Sequence, residues 1–351
     1  MNIILYILSS LLVLITLLPL VKSDKWFFRV FDYPRLQKFF LSAVLLACMT
    51  YCCNYNNTVN VAFMGIMCLN LIYLASVIFP YTIFGKKQVL RVDKEIPEQS
   101  ISILISNVYQ YNTNYTGCLE QIHKVKPDVV LLLEADKIWQ TQLALEKEYT
   151  YSVTVPLDNT YGMLLYSRLE LQDPEIKYLV EKDVPSIHTK IVLRNGQKVR
   201  FFAVHPTPPV PNENPRSTER DKELLLIADL AKASPLPVIV AGDLNDVAWS
   251  HTTSLFLKMS AMLDPRRGRG FYNSFHAHYF FLRFPLDHAF ISPSFKLKEI
   301  KRMDNYNSDH FPIFIELQYE ATAPSEQKPI KPDSEDIKEA QEKKEKINPN
   351  I

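Results

Sequence analysis

A cysteine framework is missing from this sequence. Its five cysteines, Cys48, Cys52, Cys53, Cys68 and Cys118, follow neither a disulfide pattern nor zinc-ligand spacing. Four lie in apolar stretches, where cysteine behaves as a small buried hydrophobe. Charge of one sign is missing as well: 39 Lys/Arg stand against 38 Asp/Glu, a formal net charge of +1. Residues 97–320 hold 24 basic and 27 acidic residues. That segment lacks the basic excess of a strong non-specific nucleic-acid binder, although a local basic groove stays compatible. Histidine is absent from residues 1–96 and 321–351, and all eight histidines lie between. Histidine titrates near neutrality and binds metals and phosphates, so the chemistry is expected in the middle segment. No internal repeat is visible.

Charge is absent from three N-terminal runs: residues 2–21, 39–53 and 59–84. The first and third are long enough to cross about 30 Å of hydrocarbon as helices; the second is shorter. A cleaved signal is disfavoured for residues 2–21. No basic segment precedes the run, no small-x-small site follows it, and it exceeds the usual run of about 7–15 residues. The expectation is a transmembrane anchor over 1–85, with three helices. Loop 22–38 carries Lys22, Lys25, Arg29, Arg35 and Lys38 against Asp24 and Asp32, and Lys86, Lys87, Arg91 and Lys94 follow the third run. With three spans both clusters lie on one side. The positive-inside rule then predicts a multi-pass protein of the cell (inner) membrane with its soluble domain in the cytoplasm. No intramembrane Asp, Glu, Lys or Arg marks a transport path, so the lipid bilayer is expected as a tether.

After a linker at 86–99, residues 100–320 read as strands alternating with a few helices. ISILISNV, PDVVLLLEAD, MLLYSR, HTKIVL, VRFFAVH, LPVIVAGDLN, DHAFIS and FPIFIELQ are rich in β-branched and aromatic residues, as strands require. Tyr115–Lys124 and Thr218–Ala233 suit helices. Many strands with few helices predict an α/β fold of two packed sheets with helices outside. Residues 321–351 are polar and charged, and predict a disordered tail, transiently helical around Asp336–Lys346.

Polar residues collect at the ends of the apolar strands: Asn107, Glu134, His205, Asp243, Asn245, Asp287 and the Ser308–Asp309–His310 run. Each alone has an ordinary structural explanation as a turn former, a cap or a satisfied core histidine. Together they suit phosphoester hydrolysis. An anionic ester repels nucleophiles, so catalysis needs a hard cation on oxygen ligands, a base for water and donors for developing charge.

Over residues 100–319 the motifs NV at Asn107, LLLEAD at Glu134, VHPTPP at His205, GDLN at Asp243, LDHAF at Asp287 and SDHFP at His310 stand in an order that resembles the endonuclease/exonuclease/phosphatase superfamily, with its deoxyribonucleases and sphingomyelinases. DPRRGRG with LDHAFIS looks like a bacterial membrane-anchored branch. The resemblance implies a four-layer α/β sandwich of two mixed sheets flanked by helices. It implies Mg2+, or Mn2+, on Glu134 with Asn107 near it and Asp309 contributing. It also implies that Asp243 and Asn245 orient water or stabilise the phosphorane, and that His205 protonates the leaving oxygen or binds phosphate. His310 acts as base or phosphate ligand, and Asp287 orients a histidine, expected to be His205. The branch with histidine at the His205 position is the deoxyribonuclease and sphingomyelinase one. An arginine that deoxyribonucleases place before this strand has no match; PSIHTKIVL offers His188. Arg266, Arg267 and Arg269 are candidates for substrate phosphate contacts, and a solvated loop explains them equally well. His288 is expected to be structural.

The expected substrate is a phosphodiester of nucleic acid or a phospholipid headgroup. The alternatives are a phosphomonoesterase on a small or lipid phosphate, and a non-catalytic membrane scaffold. An intact set of metal and base residues argues against the scaffold.

Overall fold

Alternate residues of ISILISN face two different cores, which is why the run is apolar throughout. The computed structural model describes residues 2–211 and 213–347. In it β1 (Ser100–Asn107) runs parallel to β2 (Val129–Leu133). β3 (Tyr151–Val155), β4 (Met163–Ser167), β10 (Phe295–Arg302) and β11 (Ile313–Tyr319) complete a six-stranded sheet in the order β10-β11-β1-β2-β4-β3. β5 (Leu171–Lys177), β6 (Ser186–Val192), β7 (Lys198–Ala203), β8 (Val238–Asp243) and β9 (Asp287–Ile291) form the second sheet in that order. There β7 and β8 are the parallel pair.

Ile101, Ile103, Ile105, Val129 and Leu131 meet Phe201, Ala203, Ile239 and Ala241 in the core between the sheets. Leu104, Val130 and Leu132 point the other way, in one cluster with Cys118, Ile122 and Trp139. Those three belong to α5 (Tyr115–Val125) and α6 (Lys137–Leu143). Phe202, Val240 and Phe290 likewise meet α7 (Thr218–Ala233) and α8 (His251–Ser260). Helix, sheet, sheet and helix are thus stacked as expected, and strands buried on both faces read as unbroken apolar runs.

The N-terminal segment departs from expectation. It forms α1 (Asn2–Leu17), the single turn α2 (Trp26–Arg29), α3 (Arg35–Cys52) and α4 (Thr58–Ile78). Among the described residues, only two helices, over Ile3–Leu20 and Thr58–Tyr81, are long and apolar enough to span. α3 is not the third transmembrane helix expected. It opens with Arg35 and Lys38, and its apolar part from Phe39 covers roughly 21 Å at about 1.5 Å per residue, short of about 30 Å. The orientation argued from the two basic clusters needed three spans, so its premise is lost. α3 nevertheless packs between the others through Leu12, Leu45, Met49, Met64 and Met67.

The tail departs too. Residues expected to be disordered form α9 (Ser334–Glu345), opened by an Asp333 capping box. The helix docks mainly through charge. Lys343 meets Asp221 at 2.6 Å, Lys344 meets Asp229 at 2.6 Å, and Asp336 meets Lys258 at 2.8 Å. Ala340 is its one residue in the apolar core cluster against α7 and α8. A search for apolar surface cannot find a helix held this way.

Candidate active site

The two parallel strand pairs end side by side, and the chain leaves each one carrying polar residues. Asn107 closes β1, Glu134 follows β2, His205 lies two residues beyond β7, and Asp243 closes β8. Gly242 precedes Asp243 because β7 is so close: a Cβ there would lie 1.9 Å from the Val204 carbonyl oxygen. Asp287 opens β9 in register with Asp243. Ser308 donates from Oγ to the Asn107 carbonyl at 2.8 Å and accepts the His310 N–H at 3.0 Å, which ties the SDH segment to β1.

The side chains converge. Asn107 Nδ2 donates to Glu134 Oε1 at 2.8 Å and to Asp243 Oδ2 at 3.2 Å. The same Asp243 oxygen lies 3.5 Å from His310 Nε2 and 4.0 Å from His205 Nε2. Asn245 lies beside Asp243, its N–H on Oδ1 at 2.9 Å and its side-chain amide on the Pro206 carbonyl at 3.0 Å. Asp309 reaches the set by charge: its carboxylate raises both Glu134 and His310. Glu134 and Asn245 take left-handed backbone conformations, φ 57° and 49°. Such strain collects where surrounding structure holds a functional loop.

The two histidines differ in charge. Burial opposes protonation of His310, but Asp287 and Asp243 outweigh it and raise the ring to about 10. Burial lowers His205 to about 4, so it is neutral at physiological pH. Burial pushes Asp243 up, yet His310, His205 and two N–H donors hold it below the usual carboxylate range. Glu134 is raised to about 7 by burial, against its bond to Asn107 and with Asp309 and Asp243 adding repulsion.

One expectation is corrected by partner geometry. Asp287 Oδ2 bonds His310 Nδ1 at 2.8 Å, so it orients His310 and not His205. Among the described residues, His205 Nδ1 has no hydrogen-bond partner. Asn107, expected as a metal ligand, turns its amide nitrogen to the carboxylates and its oxygen to the Tyr109 N–H at 3.0 Å. In this arrangement it braces Glu134 and Asp243.

The three arginines do not enter the cleft contacts. Arg266 is buried against Asp264 through Nε at 2.9 Å and Nη2 at 2.8 Å, and Nη1 donates to the Asp287 carbonyl at 3.3 Å. Arg267 lies over the Tyr81 ring at 5.3 Å. Arg269 donates to the Pro265 and Val89 carbonyls at 3.2 and 2.5 Å. His288 accepts from Arg266 at 2.6 Å and donates from Nε2 to the Asp246 carbonyl at 2.9 Å. His188 bonds Ser186 Oγ at 3.0 Å and packs on Phe202, within the second sheet.

Three positions escaped the sequence reading. Tyr161 sets its ring 5.4 Å from His205 and bonds Glu213. Gln110 directs its N–H to Glu134 Oε2 at 3.5 Å. Ser274 Oγ accepts the Asp287 N–H at 3.0 Å. Only Ser308, inside the SDH motif, carried a legible signal for this outer layer.

Asp243, Asp287 and His310 offer atoms within 4.8 Å of one another, a spacing that could hold a metal ion. His310 there carries a proton bonded to Asp287, and a cation would displace it. Glu134 fits a hard divalent cation better. Its carboxylate is half-buried and crowded by other carboxylates, and Asp309 Oδ1 is a buried oxygen with no partner among the described residues.

Comparison with known proteins agrees with this geometry. Two D. rerio TDP2 structures, a humanized form and a complex with single-strand DNA product, are 17% identical to this chain. They superpose with TM-scores of 0.53 and 0.52, covering 63% and 62% of this chain and 99% of each of theirs. The human Nocturnin catalytic domain with bound sulfate is 15% identical, with TM-score 0.51, covering 64% of this chain and 96% of its own. At these identities the likeness is one of fold. No curated protein sequence matches. The profile of the Endonuclease/Exonuclease/phosphatase family matches residues 106–310, from the end of β1 to His310. Those limits enclose every strand end that brings a residue to the cleft, and this chain belongs to that family of phosphoric ester hydrolases.

Proposed function

We propose that the protein is a divalent-metal-dependent phosphodiesterase anchored in a bilayer by α1 and α4, acting on a phosphodiester at the membrane surface. The observation that carries the reading is the convergence of Asn107, Glu134, His205, Asp243, Asp287 and His310 on one Asp243 oxygen and its neighbours. Glu134 and Asp309 would hold the cation, Mg2+ or Mn2+, with Asn107 fixing Glu134. A bound cation supplies positive charge to a phosphate oxygen and to nearby water. Asp243, ionised, accepts a hydrogen bond from the attacking water and orients it. His310 is an imidazolium aimed at the same place and stabilises charge on the phosphorane, with Asp287 fixing its tautomer. His205 is neutral and lies 4.0 Å from the same Asp243 oxygen, suited to bind the ester or pass a proton to the leaving oxygen.

A phospholipid headgroup is favoured over nucleic acid by one hairpin. Phe275 pairs with Phe284 and with His310, so the segment between is rooted at the cleft. Its tip exposes Tyr279, Phe280, Phe281 and Leu282. Gln37, in the first turn of α3, donates to the Phe281 carbonyl at 2.7 Å, at the domain end of the helices. Exposed aromatics beside apolar helices suit a bilayer interface. The full chain in nanodiscs with Mg2+ should release headgroup from mixed phospholipid vesicles faster than it cleaves DNA, RNA or sugar phosphates. Preference for DNA overturns the substrate; full activity in EDTA overturns the metal.

A further inference from the structure

The loop that follows Asp243 is held from outside by residues that precede it by more than 160 positions. Tyr33 lies in the turn between α1 and α3, and its hydroxyl donates to the Asn245 carbonyl at 2.8 Å. Trp249 Nε1 donates to the Asp32 carbonyl at 2.8 Å, and the Tyr81 hydroxyl donates to the Ala248 carbonyl at 2.5 Å. Tyr81, Val247, Ala248, Trp249 and Phe284 form one apolar cluster, against which Tyr33 packs. Two juxtamembrane segments, one before α3 and one after α4, thus clamp residues 245–249.

The clamp bears on the position that needs it. Asn245 is a non-glycine residue at φ 49°, and its carbonyl receives two donors, Tyr33 and Arg220 Nη1 at 2.9 Å. From that backbone its N–H fixes Asp243 Oδ1 and its side chain fixes the carbonyl next to His205. The Tyr33 ring also lies edge-on to Phe284, 5.6 Å away, and Phe275, paired to Phe284, stacks 4.9 Å from His310. One side chain from the anchor therefore touches the supports of Asp243, His205 and His310.

We infer that the membrane anchor is part of the active site's framework, and that Tyr33 is a positioning residue that sets Asn245 and through it Asp243. The inference rests on reading the Asp243–Asn245 loop as catalytic. The anchor then does more than tether: the loop reaches its working geometry only with the turn between α1 and α3 in place.

Tyr33→Phe removes one hydroxyl and keeps the ring on Phe284. The full-length variant and wild type, in nanodiscs, are compared in two ways. The first is kcat and KM on bis(para-nitrophenyl) phosphate with Mg2+. The second is amide hydrogen exchange across residues 244–250, with the amides of Ile103 and Ile105 as an internal control. The expected result is a fall in kcat of about five- to tenfold with KM unchanged. Faster exchange confined to residues 244–250 should accompany it. A general loss of stability would also speed exchange at Ile103 and Ile105. Unchanged exchange at 244–250 overturns the clamp, and faster exchange with wild-type kcat overturns its positioning role. If wild type hydrolyses no phosphodiester, the functional reading fails, and the exchange arm still decides whether Tyr33 holds the loop. Tyr33→Leu with Tyr81→Phe is the second variant pair, expected to enlarge both effects.

Discussion

Two buried polar networks meet at the ends of β8 and β9, and they are built from different cations. Behind the cleft, Asp264 faces Arg266, and Asp221 and Asp246 face Arg220 at 2.9 and 3.3 Å. In the cleft, among the described residues, no lysine or arginine pairs with Glu134, Asp243, Asp287 or Asp309; histidines and N–H donors hold the first three. Guanidinium never loses its proton at working pH, so the rear network is fixed. Imidazole can be set either way, and the cleft sets one of each: His310 is raised to about 10 and His205 is lowered to about 4. Among the described residues the cleft also keeps unmet atoms: His205 Nδ1, Asp287 Oδ1 and Asp309 Oδ1. β9 shows the division at single-residue resolution. Asp287 joins the cleft, and His288, its neighbour, joins Arg266. Sequence proximity to a motif therefore does not assign a role; the sheet face does.

The comparison breaks if the two networks respond alike to mutation. Glu134→Gln should lower kcat by roughly 10²–10³-fold, because the proposed cation would lose its main ligand. In metal-free buffer its melting temperature should equal or exceed that of wild type, since a crowded carboxylate is gone. Calorimetry beside a hydrolysis assay measures both, and a large drop in melting temperature would sink the assignment. Arg266→Met should do the reverse. It strands Asp264 in the interior and should cost about 3–5 kcal/mol of stability, as for other buried pairs broken on one side. The folded fraction should keep kcat within tenfold. Urea unfolding followed by activity per folded molecule separates these outcomes.

The pH dependence sharpens the contrast. Glu134 is raised from 4.5 to about 7, so the native state holds its proton longer than the unfolded chain. Metal-free stability should therefore fall as pH rises from 4.5 to about 7, and Glu134→Gln should remove that slope. His310 is raised from 6.5 to about 10 by its two carboxylates, although burial opposes it. Its contribution is complete below pH 6.5 and is lost as pH rises towards 10. A stability difference between wild type and Glu134→Gln that does not change with pH would contradict the first part. The smallest effect belongs to the tail. Lys343→Ala removes one ion pair to Asp221, which keeps Arg220, and should cost about 1 kcal/mol, less at high salt. A thermal melt in low and high salt reads it.

Central strands were legible, and of the edge strands only β9 was. β1, β2, β7 and β8 are buried on both faces and read as unbroken apolar runs. β5, LQDPEIK, and β10, FKLKEIKR, lie at sheet edges and carry charge, as edges do to prevent pairing with other chains. They have no apolar signature to find. The docking of the tail helix was missed for the related reason that ion pairs, not apolar area, hold it down.

By itself the sequence determined the membership of the proposed reaction centre: which strand ends carry Asn107, Glu134, His205, Asp243, Asp287 and His310, and in what order. Strand ends are local, and an apolar run that stops at a polar residue is visible along the chain. Only the tertiary structure decided the pairing. Asp287 belongs to His310 because β9 and the SDH segment meet across 23 residues. Arg266 belongs to Asp264 because its side chain is buried. Tyr33 belongs to Asn245 across 212 residues. Hydrogen bonds and charges act over a few ångströms of space, and chain spacing does not encode which distant residues the packing of two sheets and an anchor will bring within that range.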